Sequence, residues 1–357
     1  MITTVLVYLS SDPELPRELT EQYRLGRVIG DGNFAVVHEC FCRQTNQRYA
    51  TKIIDKRKSC LKRYLQDEII HNEIRLMQDL RHPHIVQLYS NFDTQDFICL
   101  VMEHVQNAFV VHSSKGIFVF YFVVQGGDLF DSLVRAKRYC ENVASHLIQN
   151  LVSALEYLHD RRIVHRDVKP ENLLVYETAD GKKQLKLADF GLATKVDGPL
   201  YTVYDLNIPL ASQFHYFAGK IFQLSTRVKT AATDLFVSSY GLKVDIWAAG
   251  VILYMMLSGF PPFYSPNGKQ EELFRIILSG HYRFPPQYWD GISNASKSLI
   301  QGMLQFDDAD RYSAREGGSQ VNADFEEFSA LALKDSDAID CGTERVSDLA
   351  CSYVMTD

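Results

Sequence analysis

The pattern of apolar and polar positions changes along the chain. Residues 1–22 contain Asp12-Pro13-Glu14-Leu15-Pro16 and read as a short leader. From Tyr23 to Val86 the signals are mainly those of strands, with turn residues at Gly30–Gly32 and Thr45–Asn46. One stretch interrupts them: Ile69, Ile70, Ile74, Met77 and Leu80 recur at the spacing of a helix. From Asn142 to Asp160, Ala144, Leu147, Ile148, Leu151, Leu155 and Leu158 fall on one helical face. Val244 to Leu257 is apolar almost all round, as expected of a helix buried inside a larger helical lobe. The pattern therefore predicts an α+β protein, with a small β-rich lobe carrying one main helix and a larger helical lobe. No internal repeat is evident. Residues 315–357 lack convincing periodicity and are expected to form a weakly ordered tail.

At 357 residues the chain can bury cores in two such lobes. Its 46% hydrophobic and 23% charged residues are those of an ordinary soluble globular protein. The net charge of −7 is concentrated, because Glu316 to Asp357 carry ten acidic and two basic residues. The remainder is nearly neutral, which argues against a nucleic-acid-binding surface. The opening MITTVLVYLSS lacks the basic start and apolar core of a signal peptide. The most apolar run, Ile117 to Val124, is far shorter than the roughly 20 residues needed to cross a bilayer, so no membrane span is expected. Seven cysteines without metal-ligand spacing point to a reducing, cytoplasmic setting.

Chemistry is concentrated in four places. Ile29-Gly30-Asp31-Gly32-Asn33-Phe34-Ala35-Val36-Val37 is a strand-turn-strand whose glycines let backbone amides approach phosphate oxygens. Alone, such a hairpin is more often structural. Lys52 follows in the strand-like Ala50-Thr51-Lys52, and alone it would be a solvated lysine. The decisive segments are His165-Arg166-Asp167-Val168-Lys169-Pro170-Glu171-Asn172 and Leu185-Lys186-Leu187-Ala188-Asp189-Phe190-Gly191. Phosphoryl transfer needs a carboxylate to orient a hydroxyl and accept its proton, oxygen ligands for magnesium, and cations against spreading charge. Asp167 supplies the first, Asn172 and Asp189 the second, and Lys52 and Lys169 the third.

These motifs, in this order, resemble those of the protein kinase family. The resemblance implies a bilobal kinase fold over about 23–314, with an N-lobe near 23–103 and a C-lobe near 126–314. It implies ATP and Mg2+ as cofactors, and the residues Ile29 to Val37 over the phosphates. Lys52 would bind the α- and β-phosphates and pair with Glu73 on the helix that carries Ile74 and Met77. Met102 would border the adenine pocket, and Glu103 to Val105 would form the hinge. The Lys-Pro-Glu-Asn form of the catalytic loop is similar to serine/threonine kinases, whose substrates are serine or threonine residues of proteins. Asp128 and Glu171 match positions that hold an arginine of the substrate. Gly30 to Val37, Gly127-Asp128-Leu129-Phe130-Asp131, Asp197 to Val203 and Tyr240 to Trp247 resemble the doublecortin-like kinases, of the calcium/calmodulin-dependent group. The microtubule-binding doublecortin modules of those kinases would not fit before Tyr23. The acidic tail lacks the basic amphipathic character of a calmodulin site.

The chain departs from the family in three places. Asn107 to Gln125 interrupt the passage from hinge to C-lobe, an insertion that costs only about 2 kcal/mol of loop entropy. Within it, Ile117 to Val124 is β-prone, and the stretch reads as intervening sequence retained in the transcript. Residues 204–238 replace the Gly-Thr-x-x-Tyr docking loop and the Ala-Pro-Glu motif, and no glutamate lies between Glu177 and Glu271. That glutamate would pair with Arg311, whose stranding is expected to cost about 3–5 kcal/mol. After Ala314 the family's final helix gives way to the acidic tail. Two functions of different class follow: a serine/threonine kinase, or a nucleotide-binding scaffold (a defective isoform) that cannot dock substrate.

Overall fold

The computed structural model describes residues 15–31, 35–57, 63–105, 138–196, 241–265 and 270–332. The leader's residues 1–14, the inserts at 107–125 and 204–238, and residues 333–357 lie outside these.

A five-stranded antiparallel sheet forms the smaller lobe. Its strands are β1 (Tyr23–Asp31), β2 (Ala35–Cys42), β3 (Arg48–Asp55), β4 (Leu88–Asp93) and β5 (Phe97–Glu103), in the order β1-β2-β3-β5-β4. β5 explains how the lobe is covered. Its residues Phe97 to Val101 are all buried, which an antiparallel strand permits only when both faces of the sheet are shielded. Ile98 and Leu100 point into the main core with Ile54, Ile74 and Met77, beneath helix α2 (Arg63–Asp79). Phe97, Cys99 and Val101 point the other way, into a second cluster with Cys40, Ile53 and Leu19.

Leu19 comes from helix α1 (Arg17–Gln22), within the stretch that reads as a leader from sequence. It is fully buried, and Arg43 fixes the helix end by donating its amide to the Gln22 carbonyl and its Nε to the Thr20 carbonyl. The segment from 15 onward is thus a lid on the outer sheet face. A single buried leucine has no period, so pattern reading passes over it.

The larger lobe is built on two buried helices. Helix α3 (Glu141–Asp160) buries Ala144, Leu147, Ile148, Leu151, Leu155 and Leu158, the face its spacing predicts. Two short antiparallel pairs lie between it and the smaller lobe: β6 (Ile163–Val164) with β9 (Thr194–Lys195), and β7 (Leu173–Glu177) with β8 (Lys183–Leu187). Helix α4 (Val244–Ser258) is buried on every side, as its composition demands, and ends at Gly259, whose φ of 83° only glycine adopts readily. Helices α5 (Gln270–Ser279), α6 (Pro286–Trp289) and α7 (Asn294–Met303) surround it. At Gly250 a Cβ would stand 2.8 Å from Cβ of Met303, so the close α4–α7 contact requires the bare backbone.

The tail expectation needs correction at its start. Residues Ala314–Ala332 form helix α8, and the expected loss of a final helix does not hold there. Ser313 and Glu316 cap it reciprocally: the Ser313 amide donates to Glu316 Oε2 at 2.7 Å, and the Glu316 amide to Ser313 Oγ at 3.2 Å. Val321 is fully buried in the main core, and Arg315 pairs with Glu156 of α3 at 3.1 Å. The acidic composition of the segment hides one apolar contact and a four-residue capping signal.

Leu19→Ala should remove about 2–5 kcal/mol of unfolding free energy in urea titration and speed thiol labelling of Cys40 and Cys99. An unchanged midpoint with both thiols still shielded would show that α1 does not cover the sheet.

Candidate active site

Lys52 lies at mid-strand in β3, between Val37 of β2 and Leu100 of β5, and its direction is fixed by two registers. Its ammonium donates to Glu73 Oε1 of α2 at 2.9 Å and to Asp189 Oδ1, two residues beyond β8, at 3.1 Å. Burial alone would push the ammonium down, but the charges of Asp189 and Glu73 outweigh it and hold Lys52 above the ordinary lysine range. Lys52 in turn holds Asp189 well below the usual carboxylate range. Burial pushes the Glu73 carboxyl up against the pull of the same lysine. The result is one cation shared by a buried carboxylate behind it and a half-exposed, firmly ionised one in front.

The second cluster is the loop between β6 and β7. Asp167 Oδ2 accepts from Lys169 Nζ at 2.7 Å and from Asn172 Nδ2 at 2.9 Å. Its other oxygen, Oδ1, is buried and meets no partner among the described residues. A buried unpaired carboxylate oxygen is costly, and it marks where a donor from outside would fit. Asn172 Nδ2 also donates to the Asp167 carbonyl at 2.9 Å, so the amide is oriented and its oxygen remains as an acceptor.

Asp245 holds this loop from below. Fully buried in the first turn of α4, it accepts from the amides of His165 (2.8 Å) and Arg166 (2.9 Å) and bonds His159 Nε2 (3.1 Å). Those bonds keep Asp245 ionised below the ordinary range despite burial. They also secure Arg166, whose φ of 64° is strained for a residue with a side chain, as is the 61° of Asp189. Sequence reasoning gave Asp245 no role, although a carboxylate at the head of an otherwise apolar helix was the available signal. His165 is buried beside Phe190, its Nδ1 accepting from the Asp167 amide (3.3 Å) and its Nε2 facing the Ala188 carbonyl (3.2 Å). That pairing requires a neutral ring, and burial pushes its pKa down accordingly.

The other expected site residues fall as follows. Ile29, Gly30 and Asp31 end β1, and Ala35, Val36 and Val37 begin β2, with Gly30 opposite Val37 and Asp31 opposite Val36. Gly32, Asn33 and Phe34 lie outside the described residues, as does Asp128. The Glu103 carboxylate is engaged by Lys186 at 3.0 Å, and Val105 is buried. Glu171 Oε2 is buried with no partner among the described residues, and burial raises its pKa. The expectation that Arg311 is stranded is corrected. It donates to the carbonyls of Gln305 (2.9 Å), Phe306 (3.0 Å) and Lys243 (3.2 Å) and to Asp308 Oδ1 (3.1 Å), and covers the Trp247 ring.

The donor set suits magnesium and ATP. Among the described residues no cluster of three or more His, Cys, Asp or Glu side chains could hold a metal unaided. Asp189, which meets Lys52, and Asn172, which meets Asp167, offer two hard oxygens, the sparse protein share typical of magnesium bound chiefly through phosphates.

Comparison with known proteins agrees with this geometry. The protein kinase domain family matches residues 23–320. Serine/threonine-protein kinase DCLK2 of Rattus norvegicus is 46% identical over 287 residues, covering 80% of this chain and 32% of that protein. DCLK1 of Rattus norvegicus is 45% identical over 301 residues (84% of this chain, 60% of that protein). DCLK3 of Homo sapiens is 44% identical over 296 residues (83% and 39%). The chain thus spans only part of the length of these relatives.

Behind the site, the loop after α2 meets α3 through His82, whose Nδ1 accepts from the His84 amide (3.2 Å) while Nε2 bonds Ser153 Oγ (3.3 Å). Burial, followed by His84, Lys186 and Arg161, lowers its pKa to about 4. Unfolded histidine titrates near 6.5, so as pH falls the unfolded chain takes up the proton first. The stability tied to neutral His82 is therefore present above about pH 6.5 and lost as pH falls toward 4. Urea unfolding at pH 7 and pH 5 should show a smaller loss for His82→Gln than for the unsubstituted protein. Equal losses would contradict the assignment.

Proposed function

The chain belongs to the protein kinase family, and on that premise we propose that it transfers the γ-phosphoryl group of ATP to serine or threonine hydroxyls of proteins. The observation that carries this reading is Asp167: one oxygen is locked by Lys169 and Asn172, and the other has no partner among the described residues. A carboxylate so oriented can align a hydroxyl and take its proton. Lys169 at 2.7 Å offsets negative charge beside it. In this reading Lys52, held by Glu73 at 2.9 Å, binds the α- and β-phosphates, and the ends of β1 and β2 from Ile29 to Asp31 and from Ala35 to Val37 belong to the same phosphate site. Magnesium, when bound through Asp189 and Asn172, would neutralise charge on the phosphates.

Glu171 supports a preference for arginine in the substrate. A buried carboxylate oxygen without a partner favours a cation, and arginine can offer two parallel donors. With Asp128, which lies outside the described residues, it supports recognition of arginine upstream of the acceptor. A cytoplasmic location fits the free cysteines Cys40, Cys42, Cys99 and Cys140. No helix among the described residues is long and apolar enough to cross a membrane.

A second reading is favoured by one sequence feature. Residues 204–238 contain neither the docking loop nor the Ala-Pro-Glu motif of the family, so the chain would bind nucleotide without positioning a peptide. Both readings require the phosphate site, and they differ in turnover.

Magnesium-ATP should raise the melting temperature through mass action, and Lys52→Met and Asp189→Asn should each shrink the shift. A shift unchanged by both substitutions would remove Lys52 and Asp189 from the site. On peptide libraries, upstream arginine should raise the rate, and Glu171→Gln should reduce that preference. Equal rates with and without arginine would end the substrate proposal.

A further inference from the structure

Two consecutive carbonyls just beyond Asp189 are held by side chains from different elements. Arg166 Nε of the catalytic loop donates to the Leu192 carbonyl at 2.6 Å. Asn72 Nδ2 of helix α2 donates to the Ala193 carbonyl at 2.9 Å. Between Asp189 and these anchors the chain makes a tight turn, closed by the Ala193 amide on the Phe190 carbonyl at 3.0 Å. The turn begins with the positive φ of Asp189, a conformation that persists only where surrounding contacts over-determine it.

Asn72 immediately precedes Glu73. Successive residues on a helix diverge in direction, so Glu73 reaches Lys52 beneath the sheet while Asn72 reaches the chain leaving Asp189. One helix therefore holds the lysine's rear partner and the backbone of its front partner. Lys52 makes a second link between α2 and Asp189, and a phosphate arriving at Lys52 would compete with Asp189 for the ammonium. The Asn72 bond involves neither lysine nor carboxylate and survives that competition.

We infer that Asn72 is a positioning residue: through the Ala193 carbonyl it keeps Asp189 in register with helix α2, so that metal and nucleotide meet an already assembled site. This inference rests on the reading of Asp189 as a magnesium ligand and concerns how that ligand is held.

The test compares ATP affinity in magnesium and in EDTA for the unsubstituted protein, Asn72→Ala, Asn72→Asp (same shape, no donor), Asn72→Gln (donor kept) and Asp189→Asn. Hydrogen exchange over residues 190–196 is measured without nucleotide. Loss of one such bond is expected to lower magnesium-supported affinity by about three- to tenfold in Asn72→Ala and Asn72→Asp. Affinity in EDTA should stay within about twofold, exchange over 190–196 should quicken, and Asn72→Gln should recover part of the loss. The inference is overturned if the Ala and Asp variants retain the magnesium-dependent gain. Equal losses in magnesium and EDTA also overturn it, since they would show a general structural role. If Asp189→Asn keeps the gain, the magnesium reading itself fails and this inference falls with it, a result separable from the other two.

Discussion

The site depends on the single ammonium of Lys52, which donates both to Glu73 and to Asp189. Glu73 belongs to a helix of the smaller lobe, Lys52 to the sheet, and Asp189 to the segment that follows β8. The bridge therefore exists only when three elements of the chain meet. Its energetics demand this arrangement. A buried carboxylate left alone would carry a penalty of several kcal/mol, so helix α2 is driven to keep Glu73 on its lysine. Asp189, more exposed, is the partner better able to exchange its lysine contact for a metal. The same electrostatics that hold Glu73 on Lys52 thus leave the Asp189 side more exposed.

Beneath this bridge the loop between β6 and β7 is held by buried groups. Asp245 receives two consecutive backbone amides, and neutral His165 spans from the Asp167 amide to the Ala188 carbonyl. These contacts fix Arg166 and Asp189 in backbone conformations they would not adopt alone. They also leave one oxygen of Asp167 and one of Glu171 buried and without a partner among the described residues. Five buried side-chain atoms lack a partner among the described residues; these are the two carboxylate oxygens of that set, and they share one eight-residue loop. Donors fixed in advance cost no reorganisation when charge develops, and the same holds for fixed acceptors.

Much of this was legible in the sequence, for reasons that differ by element. Helix α4 betrays itself by being apolar on all sides, and α3 by a clean helical stripe. The chemical residues were legible because phosphoryl transfer needs a carboxylate, metal-binding oxygens and cations, and these stand in a fixed order. Leu19 was not legible, since covering a sheet face with one leucine leaves no periodic trace. Helix α8 was obscured by its acidic composition, although the Ser313-to-Glu316 cap was present to be read. Asn72 and Asp245 act on backbone groups 121 and about 80 residues away, and no local pattern encodes such a partner. Arg311 shows the converse error: a partner inferred by analogy was thought necessary, whereas nearby carbonyls satisfy the guanidinium.

The central claim is that Oδ1 of Asp167 serves phosphoryl transfer to a hydroxyl. It is tested most directly by single-turnover transfer of the labelled γ-phosphoryl of ATP to a serine peptide with upstream arginine, comparing the protein with Asp167→Asn under saturating magnesium-ATP. The account predicts measurable transfer that falls by at least about a hundredfold in Asp167→Asn, with nucleotide affinity nearly unchanged. Transfer at the same rate in both proteins, or no transfer by either while magnesium-ATP is bound, would contradict it.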